Sequence, residues 1–132
     1  MKHITLSNQE EEIGKKIVHA AFLVHKNLGP GLLESIYENC FCYELERSGL
    51  KIKRQAVVPL IYDGISFNCA FKLDVLIEDA IICELKAVET MHPIFEAQLL
   101  TYMKLTKKQL GFLINFNVDL IKNGIRRMIL AA

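Results

Sequence analysis

The chain predicts an α+β domain, a helical hairpin followed by one central β-sheet with a further helix set into the β-rich half. Three observations lead there. Apolar residues recur at helical spacing from about residue 8 to residue 47, and the text then turns β-branched and turn-punctuated from Lys51 onward. His92-Pro93 then opens one more helical stretch before a final apolar run. The 132 residues suit a single domain, 1–132, and a chain of that size buries roughly two-thirds of its unfolded surface, enough for a real core.

The first helix is expected over about 8–27. Ser7 with Glu10 three residues on is a capping-box pair, and Ile13, Ile17, Ala20, Ala21 and Val24 then fall on one face. Gly29, Pro30 and Gly31 end it, because proline disfavours helix at the residue before it and glycine reaches backbone angles that other residues resist. A second helix begins near Leu32, presents Leu33, Ile36, Tyr37, Cys40, Phe41 and Leu45 as its apolar face, and stops at Gly49 after Arg47. Three antiparallel strands follow as a meander over 55–62, 65–77 and 80–88, with turns at Asp63-Gly64 and Glu78-Asp79. A third helix starts at Pro93, which the first turn tolerates, and runs to about Lys107 with Phe95, Leu99, Leu100 and Met103 inward. Residues 110–118 read as a strand, and 119–130 fits a short strand or a helix equally well.

Composition excludes several classes. Hydrophobic residues at 52% and charged residues at 23%, with 7 Gly and 3 Pro, describe a soluble globular chain without low-complexity tracts. No apolar run approaches the roughly 20 residues that span a bilayer, and the N-terminus lacks a signal-peptide core, so no membrane partner and a cytoplasmic location are expected. A net charge of +1 creates no global field for a polyanion, so any grip on nucleic acid must come from local clusters: Lys51, Lys53 and Arg54; Lys104, Lys107 and Lys108; Lys122, Arg126 and Arg127. Cys40, Cys42, Cys69 and Cys83 match neither zinc-finger nor iron–sulfur spacing and read as reduced, mostly buried thiols. Of the histidines, His19 and His25 lie on different faces of the first helix, while His3 and His92 look like terminus and cap.

The informative feature is charge placed inside apolar strands. Asp74, Glu84 and Lys86 interrupt the β-branched text of 71–87, and an ionised group in a dry interior costs several kcal/mol unless something pairs with it. Residues two apart on a strand share a face, so Glu84 and Lys86 are neighbours, and Asp74 approaches Glu84 across the hairpin. Two hard oxygen ligands suit Mg²⁺ or Mn²⁺, which keep waters and borrow ligands from a phosphate substrate, while Lys86 could orient or deprotonate an attacking water or neutralise the scissile phosphate. The bland alternative is an exposed ion pair on an edge strand with Asp74 near a turn. Gln98 and Tyr102, four apart on the third helix, stack on one face, from which Gln98 could reach a phosphate and the Tyr102 hydroxyl the site rim. Glu34, in the first turn of the second helix, complements the helix dipole or serves as a further acidic ligand at the site's edge, with Tyr37 on its face.

Taken together, Asp74, the Glu84-Leu85-Lys86 strand and Gln98-x3-Tyr102 resemble the PD-(D/E)xK nuclease superfamily, especially the small proteins named for a GxxExxY motif, which Gly31, Glu34 and Tyr37 match. The superfamily's usual proline before the first acid is replaced here by Leu73. The resemblance spans nearly the whole chain and implies a restriction-endonuclease-like core, a mixed sheet of four to five strands flanked by helices, with a helical hairpin in front. It implies one or two Mg²⁺ or Mn²⁺ ions held by Asp74, Glu84 and the Leu85 carbonyl, with Glu34 the helical acid nearby and Lys86 the water-activating residue. Gln98 and Tyr102 are similar to the extra motif of RecB-type exonuclease domains. The expected activity is hydrolysis of nucleic acid, DNA ahead of RNA, with a second copy or a protein partner adding grip. The competing expectation is a non-catalytic nucleic-acid- or protein-binding accessory module that keeps the fold. A third option, a metal-binding regulatory protein built on the cysteines, would hold zinc or iron instead.

Overall fold

Ser7 opens the first helix by a reciprocal cap: its hydroxyl accepts from the Glu10 N–H at 3.0 Å, and the Glu10 carboxylate accepts from the Ser7 N–H at 2.9 Å. The computed structural model describes residues 5–131, Cys69 by its backbone alone, so His3 and the Cys69 thiol lie outside the described residues. Helix α1, Asn8–Leu28, buries Ile13, Ile17, Ala20, Ala21 and Val24, the expected face. Helix α2, Glu34–Arg47, starts later than expected because Leu33 takes the extended N-cap position. Leu33 is consequently 71% exposed, Ile36 is also exposed, and the buried stripe is Tyr37, Phe41, Cys42 and Leu45.

Strand β1, Ile52–Tyr62, begins three residues before the expected start, since the charged Lys53 and Arg54 mask strand text while pairing with Leu76 and Val75. Strand β2, Ile65–Ile77, has the expected bounds, and strand β3, Ile81–Lys86, is shorter than 80–88. Both connecting turns place two consecutive residues at positive φ, Asp63 and Gly64, then Glu78 and Asp79, the geometry that matches the twist of paired strands. Helix α3, Pro93–Thr106, is capped by His92, whose Nδ1 accepts from the Ile94 N–H at 3.0 Å. Strand β4, Leu110–Asn115, stops before 118, and the tail resolves into both candidate forms, a 3₁₀ turn at Ile121–Asn123 and strand β5, Ile125–Ile129.

The five strands form one mixed sheet in sequence order. Only β3 and β4 run parallel, joined by the α3 crossover, and every other neighbour is antiparallel. Val75, Ile77, Ile81, Cys83 and Leu85 pack with α1 and α2, whereas Leu76, Ile82 and Leu113 pack with Leu99 and Met103 of α3. This is the α+β sandwich with its helical hairpin on one face. Buried Asn115 closes β4 early: its side chain bonds the N–H and the carbonyl of Val88, at 3.1 and 2.9 Å, which also draws 87–88 out of β3. Among the described residues no helix is long and apolar enough to cross a membrane.

Strict alternation fails around Asp74 in β2. Phe71 and Leu73 pack with α3, but Val75 and Ile77 pack on the other face, although all four numbers are odd. The β1–β2 register passes directly from Arg54↔Val75 to Ala56↔Leu73, and Gln55, in the gap, has a φ of 49°. The residue opposite that irregularity is Asp74.

Candidate functional site

The irregularity gives Asp74 a role that a ladder residue cannot have. The β2–β3 ladder pairs Ile77↔Ile81, Leu76↔Ile82 and Val75↔Cys83 and then stops. In place of the next rung, the Asp74 N–H donates to Glu84 Oε2 at 2.9 Å, and the Leu85 N–H donates to Asp74 Oδ2 at 2.9 Å. Each carboxylate therefore satisfies a backbone donor that the separating strands leave unpaired. Glu84 is only 5% exposed and Asp74 is half-buried. Burial, then the adjacent Asp74 charge, pushes the Glu84 carboxyl up to about 8, with Lys86 acting in the opposite direction.

Lys86 ends β3 in register with Asn115 of β4, and its carbonyl accepts from the Phe116 N–H at 2.9 Å. Its Nζ lies over the Phe95 ring, 4.3 Å from the centroid. On α3, Gln98 Nε2 donates to the Tyr102 hydroxyl at 3.0 Å, and the Tyr102 ring stacks on Phe71 of β2 at 4.7 Å. The Tyr102 hydroxyl is raised by burial and then by the Glu84 charge. Gln98 is exposed, and its amide is engaged by that tyrosine.

Glu34 is delivered by a clamped turn. Gly31 holds a φ of 98°, open chiefly to glycine, and its N–H donates to Asn117 Oδ1 at 3.1 Å. Fully buried Tyr37 donates its hydroxyl to the Gly29 carbonyl at 2.6 Å, accepts from the Leu32 N–H at 3.1 Å, and stacks on Phe116 at 4.8 Å. Glu34 as a residue is exposed, yet its carboxyl is partly desolvated and held above its ordinary range, with Asp74 raising it further and Lys86 opposing. The turn thus brings Glu34 within electrostatic reach of the pair.

Four elements therefore converge on Asp74, Glu84 and Lys86, and Leu85 takes part through its N–H. The carboxylates do not close into a cage: among the described residues no three His, Cys, Asp or Glu side chains are grouped to hold a metal ion. Two residues were not legible as site members, Phe95 under Lys86 and Asn115 behind the β3 exit. An asparagine ending an otherwise apolar strand was the available signal for the second. His25, on α1, bonds the Val118 carbonyl at 2.6 Å. Cys42 and Cys83 are buried, and burial foremost pushes the Cys42 thiol up to about 12 and the Cys83 thiol well above its ordinary value. A cavity of about 620 Å³ lies between α1 and β4–β5, and its lining includes none of the acid-site residues.

No curated protein matches the chain. A family model described as the PD-(D/E)XK nuclease superfamily matches residues 11–128, an interval holding every residue of the site, and the chain belongs to that superfamily.

Proposed function

We propose that this protein is a divalent-metal-dependent nuclease that hydrolyses phosphodiester bonds of nucleic acid, DNA in preference to RNA, in the cytoplasm. The observation that carries the reading is the acid pair at the broken rung. Asp74 and Glu84 sit together with one of them buried, and Glu84 is pushed up by its burial first and then by the Asp74 charge. A cation relieves that repulsion, so the donor set fits Mg²⁺ or Mn²⁺, hard ions that prefer carboxylate oxygens and need few protein ligands. Asp74, Glu84 and the Leu85 carbonyl would hold it, with Glu34 at the edge. When bound, the ion supplies Lewis-acid activation of water and neutralises phosphate charge.

The remaining work falls to side chains. Lys86, on the Glu84 face of β3, orients the attacking water and takes or compensates charge at the phosphate. Tyr102 and Gln98, bonded to each other at the α3 rim, offer hydrogen bonds to phosphate oxygens. The assignment to the GxxExxY group rests on Gly31, Glu34 and Tyr37, where glycine and tyrosine build the turn and the acid faces outward from it.

The reading is tested by incubating labelled single-stranded DNA, duplex DNA and RNA with Mn²⁺, Mg²⁺ or EDTA, for wild type and Asp74→Ala. Cleavage that requires both metal and Asp74 is the expected result and names the substrate. A second reading, an accessory module without catalysis, draws on the reciprocal backbone bonds of Asp74 and Glu84, which give both acids a structural task. Folded protein that cleaves nothing at high concentration would favour it.

A further inference from the structure

Lys86 has carboxylates nearby and does not take them. Its charge acts on both Glu84 and Glu34. Among the described residues it nevertheless forms no ion pair with Asp74, Glu84 or Glu34. The ammonium instead sits 4.3 Å from the centre of the Phe95 ring, within the range where the negative face of an aromatic ring attracts a cation.

Phe95 is itself fixed by the start of α3. It is half-buried and packs against the α3-side core. Its N–H donates to the His92 carbonyl at 3.0 Å, and its ring meets the His92 ring edge-on at 6.5 Å. His92 is the residue that caps α3, so the cap and the ring are set together.

We infer that Phe95 is a positioning residue whose ring holds the Lys86 ammonium off the carboxylates, leaving Asp74 and Glu84 free to receive a divalent cation. The second half of this statement rests on the proposed metal-dependent reading. A lysine left among acids would pair with one of them and neutralise the charge that attracts the metal. A ring face attracts the same ammonium without consuming a carboxylate oxygen.

Two measurements test this, neither requiring catalysis. The first is urea unfolding in EDTA of wild type, Phe95→Leu, Lys86→Met and the double variant. Packing lost with the ring is common to both backgrounds and cancels in the cycle. Phe95→Leu is expected to lower the urea midpoint more when Lys86 is present than when it is methionine, and equal lowering in both overturns the inference. The second is Mn²⁺ titration followed by water-proton relaxation. Phe95→Leu should weaken Mn²⁺ binding about two- to fivefold, Phe95→Trp should retain it, and Lys86→Met in the Phe95→Leu background should restore it. Unchanged affinity in Phe95→Leu overturns the claim that the ring protects the acids. Coupling in urea without any Mn²⁺ binding by wild type would uphold the Phe95–Lys86 contact and sink the proposed nuclease reading instead.

Discussion

Glu84 carries its proton well past the pH at which a free glutamate gives it up, and this has a signed consequence for stability. Its carboxyl titrates at about 8 against an ordinary value of 4.5. Between those values the folded chain holds a proton that the unfolded chain has released, so unfolding becomes easier as pH rises. Stability present below 4.5 should therefore be lost progressively up to about 8. Thermal melts in EDTA from pH 4 to 9 should show that decline in wild type and a flatter profile in Glu84→Gln, and added Mn²⁺ should restore stability at the alkaline end. Asp74→Ala removes the neighbouring charge, and should abolish Mn²⁺ binding and cleavage while raising the melting temperature of the metal-free protein above pH 7. Lys86→Met should abolish cleavage with folding and Mn²⁺ binding nearly intact, and surviving cleavage would show that the lysine role is wrong. Buried, weakly acidic Cys42 and Cys83 should resist iodoacetamide in native protein and react after denaturation, as peptide mass spectrometry would reveal.

At the scale of elements, sequence periodicity carries most of the fold. The core face of α1, the bounds of β2 and the histidine cap of α3 were all legible because each rests on local rules of spacing and capping. Charged text misplaced the start of β1. Leu33 and Ile36 lost their inward role once the helix began at Glu34 rather than near Leu32. The site was legible as a set of types, acids and a lysine where burial forbids them without cause. What sequence did not reveal is the broken rung, because it depends on Gln55 of another strand adopting an unusual φ opposite Asp74. Phe95 escaped notice because a phenylalanine at a core spacing reads as packing.

The clamp before α2 makes its own prediction. Tyr37→Phe strips a partner from the Gly29 carbonyl and the Leu32 N–H, which should cost about 1–3 kcal/mol in urea unfolding. Gly31→Ala forces a side chain into positive φ, with a cost of roughly 1–3 kcal/mol. Both should also reduce cleavage more than an equally destabilising change in α1, since they displace Glu34.

Seen as a whole molecule, the surface is poorly equipped to hold a polyanion alone. The net charge is +1, and several members of the basic clusters are already committed: Arg54 to Glu38, Lys108 to Asp79, Arg126 to Glu96 and Arg127 to Glu11. Binding of a labelled oligonucleotide in EDTA should be weak, and its affinity should fall with salt along a log–log slope no steeper than about −3, the mark of few phosphate contacts. Fluorescence anisotropy between 50 and 200 mM KCl, concentrations at which such slopes are measured, checks this. A steep slope would mean that a second copy assembles a larger basic surface.

The broken rung between β2 and β3 also gives the lineage a direction of drift. Apolar residues at positions 74 and 84 would let the strands pair and would remove a buried charge, so folding alone favours their arrival. The acids are a local conflict within an otherwise self-consistent sheet, and on the proposed reading continued use in metal binding holds them in place. Descendants released from that use should shed Asp74 and Glu84 before any other feature of the fold, and should melt higher than this chain for having done so.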